Sequence, residues 1–355
     1  MRLSVIVPMR DAERFVATVL ANLREQGLGP SDYEVVAVDD GSTDGTEEAL
    51  GAEGARMPNL RVVRLAGLGL GAARNAGMDA ARGDYVYFMD SDDALVPGAL
   101  SGLLARCEAE DLDCLLFGGE PVYETEGLER EVPQYRGLLE RRWVPDGAVA
   151  GRDAVVAQAA AGDFCPCVWL MLLRAETLRS AHVRSPEGIL NEDNPFALQA
   201  MLASRRLAVD PASRYRYSVR EGSIMSSNRR GEKRWVAHLE LLRLFEAEAR
   251  RAYVEGDDEL ASAIRELSSW FVEVCVRDCP GEPLKALREA PERLGGLTGE
   301  ARLARKAADE RARAETAEAR TRELEDRVRE LERPGVRRAL SLLRSSVASR
   351  FRLAI

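Results

Sequence analysis

Residues 84–93, Asp-Tyr-Val-Tyr-Phe-Met-Asp-Ser-Asp-Asp, run an aromatic-rich strand straight into three carboxylates within four positions. Like charges crowded at a strand end repel one another, so a metal ion or a ring of basic groups has to offset them. Oxygen donors alone select a hard divalent cation such as Mg or Mn. Such ions seldom sit in closed protein cages and normally share their coordination with a substrate phosphate. The cluster suggests metal-assisted handling of a phosphorylated ligand. The bland alternative is an acidic surface turn that opens a helix.

What precedes the cluster narrows the fold. Residues 3–7 form a short apolar run ended by Pro8, and residues 33–38 form a second one ended by Asp39 and Asp40. Phe15, Val19, Leu20 and Leu23 recur between them at helical spacing. Asp44 and Glu47 fit a capping box that opens a helix to about residue 50. A third strand is expected over 60–65, a helix over 71–81 and a fourth strand over 84–89. This strand–helix rhythm predicts an α/β fold with a mostly parallel sheet flanked by helices. Ligands bind such sheets at the carboxyl ends of the strands. Three candidate groups fall there: Pro8, the pair Asp39 and Asp40, and the run Asp90-Ser91-Asp92-Asp93.

Further along, strands are expected over 114–117 and 214–219, and helices over 152–161, 195–202 and 232–276. Residues 279–299 are rich in Pro and Gly and read as a linker. Residues 301–332 form a highly charged helical stretch without breakers. Glu310 and Thr321 interrupt its heptad seam, so a weak coiled coil and a solvated single helix both stay open. The segment 334–355 carries five arginines, no acid, and an alternating apolar face.

Composition excludes several classes. A net charge of -9 argues against a nucleic-acid binder. No apolar run is long enough to span a bilayer, and the N-terminus enters a strand at once, so a cytoplasmic location is expected. Six cysteines in 355 residues are no disulfide framework. Cys165-Pro-Cys167 and the Cys275 and Cys279 pair have metal-like spacing. His182 and His238 are not spaced to complete a zinc site, so reduced thiols are expected.

Asp39 follows a buried strand, and a carboxylate, an acceptor only, suits a ring N–H of a base or a ribose hydroxyl. The stretch Gly67-x-Gly69-x-x-Ala72 matches a loose dinucleotide fingerprint, which raises a nicotinamide-dependent oxidoreductase as a rival. That fingerprint would sit on the third strand, and its ribose acid, Asp90, is followed at once by Asp92 and Asp93. Arg74 is better read as a cation beside the acidic strand ends and a bound nucleotide. Glu192 and Asp193 form a second acidic spot before a helix with Pro195 in its first turn. They either cap that helix through its dipole or supply a general base.

Together these residues resemble the inverting glycosyltransferases of family 2, whose nucleotide-diphospho-sugar transferase fold is called GT-A. The resemblance rests on Val5-Ile-Val-Pro8, on Val38-Asp-Asp-Gly-Ser-Thr-Asp44, on Gly71-Ala-Ala-Arg-Asn-Ala-Gly77 and on the run from Ala81 to Asp93. Trp169, residues 191–193 and residues 217–225 resemble the family's less regular second half. It departs from the family pattern at Arg10 and Asp11 after the first strand and at Met171 near Trp169.

The resemblance implies roles. Pro8 and Asp39 border the nucleoside, Arg74 helps hold the nucleotide, Asp90 lies near the ribose, and Asp92 binds Mn or Mg on the diphosphate. Asp193 is the catalytic base, with Glu192, Trp169 and Asp93 as acceptor or secondary residues. It divides the chain into a GT-A domain over 1–225, with a nucleotide-binding half 1–118 and an acceptor half 119–225. A helical extension 226–290, the charged helix 291–333 and the basic tail 334–355 follow. The expected partners are a nucleotide-diphosphate sugar, a UDP-sugar foremost, and a hydroxyl acceptor, with cell-surface polysaccharide or glycoconjugate assembly as the setting. The tail suits either an anionic inner membrane face, to meet a lipid-linked acceptor, or the protein's own surface or a twin subunit. A non-catalytic oligomeric scaffold is the third reading.

Overall fold

The computed structural model describes residues 1–132, 135, 137–220 and 232–277. The expected charged helix, coiled coil and basic tail lie outside these residues. In chain order the first elements are β1 (Leu3–Met9), α1 (Glu13–Arg24), β2 (Tyr33–Asp40), α2 (Thr46–Gly54), β3 (Leu60–Leu65), α3 (Leu70–Ala80), β4 (Tyr85–Phe88) and β5 (Ala94–Leu95). After them come α4 (Ala99–Ala109), β6 (Cys114–Tyr123), α5 (Glu126–Glu131), α6 (Gly151–Ala161), β7 (Met171–Arg174), α7 (Ala175–Ser180), α8 (Asp193–Ala203) and β8 (Leu207–Val219). Two long helices, α9 (Glu232–Val254) and α10 (Asp258–Arg277), complete them.

Every residue of β1 and β2 is buried, as parallel strands covered on both faces require. α1 buries Val16, Val19, Leu20 and Leu23, one stripe at helical spacing. The capping box does not form. α2 starts at Thr46 behind Gly45, which has no side chain to cap with. Asp44 instead accepts from the Thr46 amide at 3.1 Å and from the Glu13 amide at 3.1 Å, tying the start of α2 to the start of α1.

The eight strands form one sheet in the order β3-β2-β1-β4-β7-β6-β8-β5. The first four are mutually parallel. β7 then enters antiparallel between β4 and β6, β6 and β8 run parallel, and β5 closes the edge antiparallel to β8. The sheet is therefore mixed but mostly parallel, as expected: six of its eight strands run one way, and β7 and β5 run against them. The first of these, Met171–Arg174, is three apolar residues and an arginine, too short to announce itself as a strand in the sequence. β8 is also longer than expected, because its pairing to β6 continues past a bulge between Phe117 and Gly119.

The chain winds outward from β1 to β2 and β3 and then returns to place β4 on the other side of β1. That reversal makes the β1–β4 gap the topological switch point, where the carboxyl ends splay apart and leave a crevice. α3 is drawn close over it by Gly77, where an added Cβ would lie 2.3 Å from Ile6 Cγ2 in β1. The expected single helical run over 232–276 is broken at Gly256, whose φ of 85° favours glycine. α10 packs on α6 and α9 on α8, and Arg152 ties this layer down through Asp257 at 2.7 Å.

Candidate active site

Two turns line one side of the crevice. Pro8 lies near the end of β1, paired with Val38 of β2. Asp39 ends β2 buried, and its Oδ1 accepts from the Ser42 amide at 3.0 Å. Asp40 accepts from the amides of Leu68 and Gly69, each at 2.7 Å. Arg10 stands 3.7 Å from Asp40, and Asp11, at a left-handed φ of 49°, accepts from the Thr43 amide at 2.7 Å. The two departures from the family pattern thus knit this turn together. The glycine loop is not free to cradle a pyrophosphate, because two of its amides already serve Asp40. It also follows β3, the edge strand far from the switch point. The dinucleotide reading loses both its donors and its location.

The other side is built from charge. Arg74 projects from α3, with its side chain only 3% exposed. Its Nη1 pairs with Glu192 Oε1 and its Nη2 lies 3.5 Å from Asp90 Oδ1. Glu192 is 118 positions away in sequence. One guanidinium therefore joins the end of β4 to the start of α8. Asn191, at a left-handed φ of 58°, turns the chain into that helix. Neither acid caps α8: Glu192 stands at the N-cap position without a side-chain cap bond, and Asp193 Oδ1 accepts from its neighbour Asn194 at 3.0 Å. The helix-cap reading of this pair gives way to an ion cluster.

The cluster has an electrostatic signature. Burial would lower Arg74, but the charges of Glu192, Asp90 and Asp193 outweigh it and raise it. Burial, with Glu192 and Asp90 adding like charge, pushes Asp193 up to about 7 despite Arg74. Burial likewise lifts Asp90 to about 6, with Arg74 opposing and Asp92 and Glu192 reinforcing. Perturbed groups of this kind gather at functional sites.

Asp92 and Asp93 part company. Asp93 is buried and structural: Oδ2 accepts from the Tyr215 hydroxyl at 2.7 Å and Oδ1 from the Ser218 amide at 2.7 Å. Asp92 is partly open, and its Oδ2 accepts from Arg220 Nε at 3.0 Å and Nη2 at 2.5 Å. That guanidinium also lies 4.7 Å over the Phe15 ring. Trp169 stacks on Tyr215 at 4.5 Å and lies almost parallel to Tyr217 at 5.4 Å, which in turn meets Tyr135 at 5.5 Å. The pairing of Arg220 with Asp92 was not foreseen. The alternation of Tyr215, Tyr217 and Val219 on β8 was the signal that this strand presents one face to the site.

Among the described residues no group of three or more His, Cys, Asp or Glu side chains is arranged to hold a metal. An oxygen pair such as Asp90 and Asp92 still fits Mg or Mn, which fill their remaining positions with phosphate oxygens and water. A cation at Asp92 Oδ2 would compete with Arg220 for that oxygen.

A mixed sheet flanked by helices, with a buried acid cluster at its switch point, defines an α/β domain of the GT-A type. Residues 4–163 match the family described as Glycosyl transferase family 2. Over those residues the chain is similar to the family 2 glycosyltransferases. It is 24% identical over 232 residues to the uncharacterized glycosyltransferase YibD of Escherichia coli (strain K12), covering 65% of each chain. It is 30% identical over 230 residues to the uncharacterized glycosyltransferase EpsJ of Bacillus subtilis (strain 168), covering 62% of each. The chain thus spans just under two thirds of the length of both relatives. Poly(ribitol-phosphate) beta-N-acetylglucosaminyltransferase TarS of Staphylococcus aureus is 29% identical over 64% of this chain and 37% of its own. The structure of TarS 1–349 in complex with UDP-GlcNAc shares the fold, with a TM-score of 0.62, 23% identity, and coverage of 88% of this chain and 92% of that one. Among the described residues no helix is long and apolar enough to cross a membrane.

Proposed function

We propose that this chain transfers a sugar, with inversion, from a nucleotide-diphosphate donor to a hydroxyl acceptor in cell-surface polysaccharide or glycoconjugate assembly. The observation that carries the reading is Arg74, which draws Asp90 and Glu192, and with it Asp193, to one crevice from opposite ends of the domain. The relatives' names favour the setting, and the UDP-GlcNAc complex of TarS favours a UDP-sugar as donor.

Pro8 and Asp39 border the nucleoside, with Asp39 meeting the base, and Asp90 lies toward the ribose. Arg74 fixes the orientation of Asp90 and Glu192 rather than floating free beside the nucleotide. Asp193 takes the proton from the acceptor hydroxyl as that oxygen attacks the anomeric carbon. The nucleoside diphosphate departs from the opposite face. A base held near pH 7 matches this task at neutral pH, strong enough to accept the proton and still ionised in a useful fraction. Asp92 is the residue that would hold Mn or Mg, and such an ion, when bound, neutralises charge on the departing phosphate. The aromatic platform of Trp169 and Tyr217 borders the acceptor side, and the hydroxyl acceptor is lipid-linked. The halves 1–118 and 119–225 divide donor and acceptor binding, and the tail 334–355 serves membrane contact or self-association.

The assay is release of nucleoside diphosphate from UDP-sugars with Mn or Mg, in wild type and in Asp92→Ala and Asp193→Asn. Turnover undiminished in both variants sinks the assignment. Fluorescence titration with reduced nicotinamide cofactor checks the rival, and saturable binding there would revive it.

A further inference from the structure

Cys165 and Cys167 belong to no step above, yet their Sγ atoms lie 3.6 Å apart, sharing a hydrogen bond across Pro166. Both are half-buried and free. Arg141 is a buried guanidinium beside them, 6% exposed, whose Nε donates to the Phe117 carbonyl at 3.0 Å and whose Nη1 donates to the Cys165 carbonyl at 3.3 Å. Its Nη2 is buried with no partner, and it makes no carboxylate pair among the described residues. A buried cation without an anion is costly, and a thiolate is the anion within reach.

From this arrangement we propose that Cys165 and Cys167 form a reversible dithiol–disulfide couple in the segment that leads into Trp169, and that its oxidation lowers glycosyl transfer. The chemical class of the oxidant is a hydroperoxide.

The acidities agree with the geometry. The hydrogen bond from Cys167, opposed by burial and helped by Arg141, lowers the Cys165 thiol to about 6, with Asp163 acting against it. The same bond, burial and the charge of Asp193 raise Cys167. Arg141 is bonded to the Cys165 carbonyl and holds its charge at that residue, so Cys165 is the nucleophile and Cys167 the resolving thiol. By contrast Cys107 is buried and pushed up to about 12, an internal control that should stay inert.

The steps balance. The Cys165 thiolate attacks one peroxide oxygen, the O–O bond breaks, and the released hydroxide takes a proton to leave as water. Cys165 is then a sulfenic acid. Cys167 attacks that sulfur, the S–O bond breaks, and a second water departs with the Cys167 proton. Two electrons have passed from the sulfur pair to the peroxide. A dithiol reductant reverses the change by exchange.

The sulfurs must close from 3.6 Å to about 2.0 Å, which pulls on the segment that leads into Trp169. Trp169 lies on Tyr215 and Tyr217, so the strain reaches the aromatic platform. Transfer falls when that platform moves.

The test uses the full chain. Hydrogen peroxide should give a Cys165–Cys167 link by peptide mapping, with Cys107 and Cys114 still reduced. Cys167→Ser should stop at a sulfenic acid that dimedone labels on Cys165, and Cys165→Ser should take no label. Nucleoside diphosphate release should drop several-fold on oxidation and return with dithiothreitol. No intramolecular link, dimedone labelling spread evenly over the thiols, or turnover untouched by complete linkage would each overturn the proposal. The mapping and labelling arms need no sugar donor, so they stand apart from a failure of the transferase reading.

Discussion

The acids at the end of β2 and those at the end of β4 sit at equivalent places on the two parallel strands that flank β1, yet are held by different forces. Asp39 and Asp40 are met by backbone amides of nearby turns. Asp90, Glu192 and Asp193 are met by a buried arginine and by one another. Amide donors are fixed dipoles that fold with the sheet and hold a shape. An ion cluster is a balance of charges that changes when a proton or a ligand arrives. The first turn is therefore suited to a rigid wall for the nucleoside, and the second to chemistry.

The largest break in this contrast should come from Asp193→Asn. If Asp193 is the base, turnover falls on the order of 10²- to 10⁴-fold while the nucleotide wall is untouched. In wild type, nucleoside diphosphate release should rise with pH through an apparent value near 7, which belongs to the coupled cluster rather than to one residue. Stability runs the other way. A carboxyl with a raised folded value holds its proton more tightly when folded, so its stabilisation is full below about pH 4 and is lost as pH rises through the folded value. Asp193→Asn stays neutral throughout. It should exceed wild type by about 1 kcal/mol or more at pH 8 and converge with it near pH 4, read by urea unfolding. Equal stability across that range would mean that Asp193 carries no unfavourable charge in the fold.

Next in size is Arg74→Met. It strands buried carboxylates without their cation, and such losses cost about 3–5 kcal/mol. Adding Glu192→Leu should recover a sizeable part, because the second change removes a charge that the first left unpaired. The counterpart in the other region is Asp40→Ala, which unpairs the Leu68 and Gly69 amides and should cost about 1–3 kcal/mol. It lacks any comparable partner mutation that rescues it. If the two regions respond alike in a cycle of this kind, the distinction between amide-held and charge-held acids fails.

The same distinction explains what was legible in the sequence. The β1–α3 region was readable because its signals are local: apolar runs ended by Pro8 or acids, and helical repeats such as Val19, Leu20 and Leu23, though Val16 rather than the expected Phe15 completes that buried stripe. Its motifs put Pro8 and Asp39 at strand ends and Arg74 on the helix that reaches Asp90, which is where they lie. The capping box at Asp44 misled because a tertiary contact to Glu13 outbid a local one. The second half was opaque for a different reason. Met171–Arg174 is a strand only because β4 and β6 stand ready on either side, and three apolar residues before an arginine carry no period of their own. Arg220 gave no sign of its partner, since its ion pair with Asp92 spans 128 positions. Asp93 was expected only as an acceptor or secondary residue beside Asp92, and the Tyr215 hydroxyl and Ser218 amide that hold it mark it as a structural acid.

Arg220→Gln is the smallest expected change in stability and the sharpest probe of that last difference. The pair it breaks is partly exposed, with side chains 22% and 26% open, so unfolding should shift by about 1 kcal/mol or less. Its effect on cations should be opposite in sign. Arg220 and a divalent ion compete for the same carboxylate oxygen, so without nucleotide the variant should bind Mn²⁺ more tightly than wild type, measured by electron paramagnetic resonance of free Mn²⁺. Asp92→Ala should bind it more weakly than either. Unchanged Mn²⁺ affinity in Arg220→Gln alongside a loss in Asp92→Ala would show that the arginine is a bystander. No loss in Asp92→Ala would move the cation elsewhere and leave Asp92, like Asp93, a structural acid.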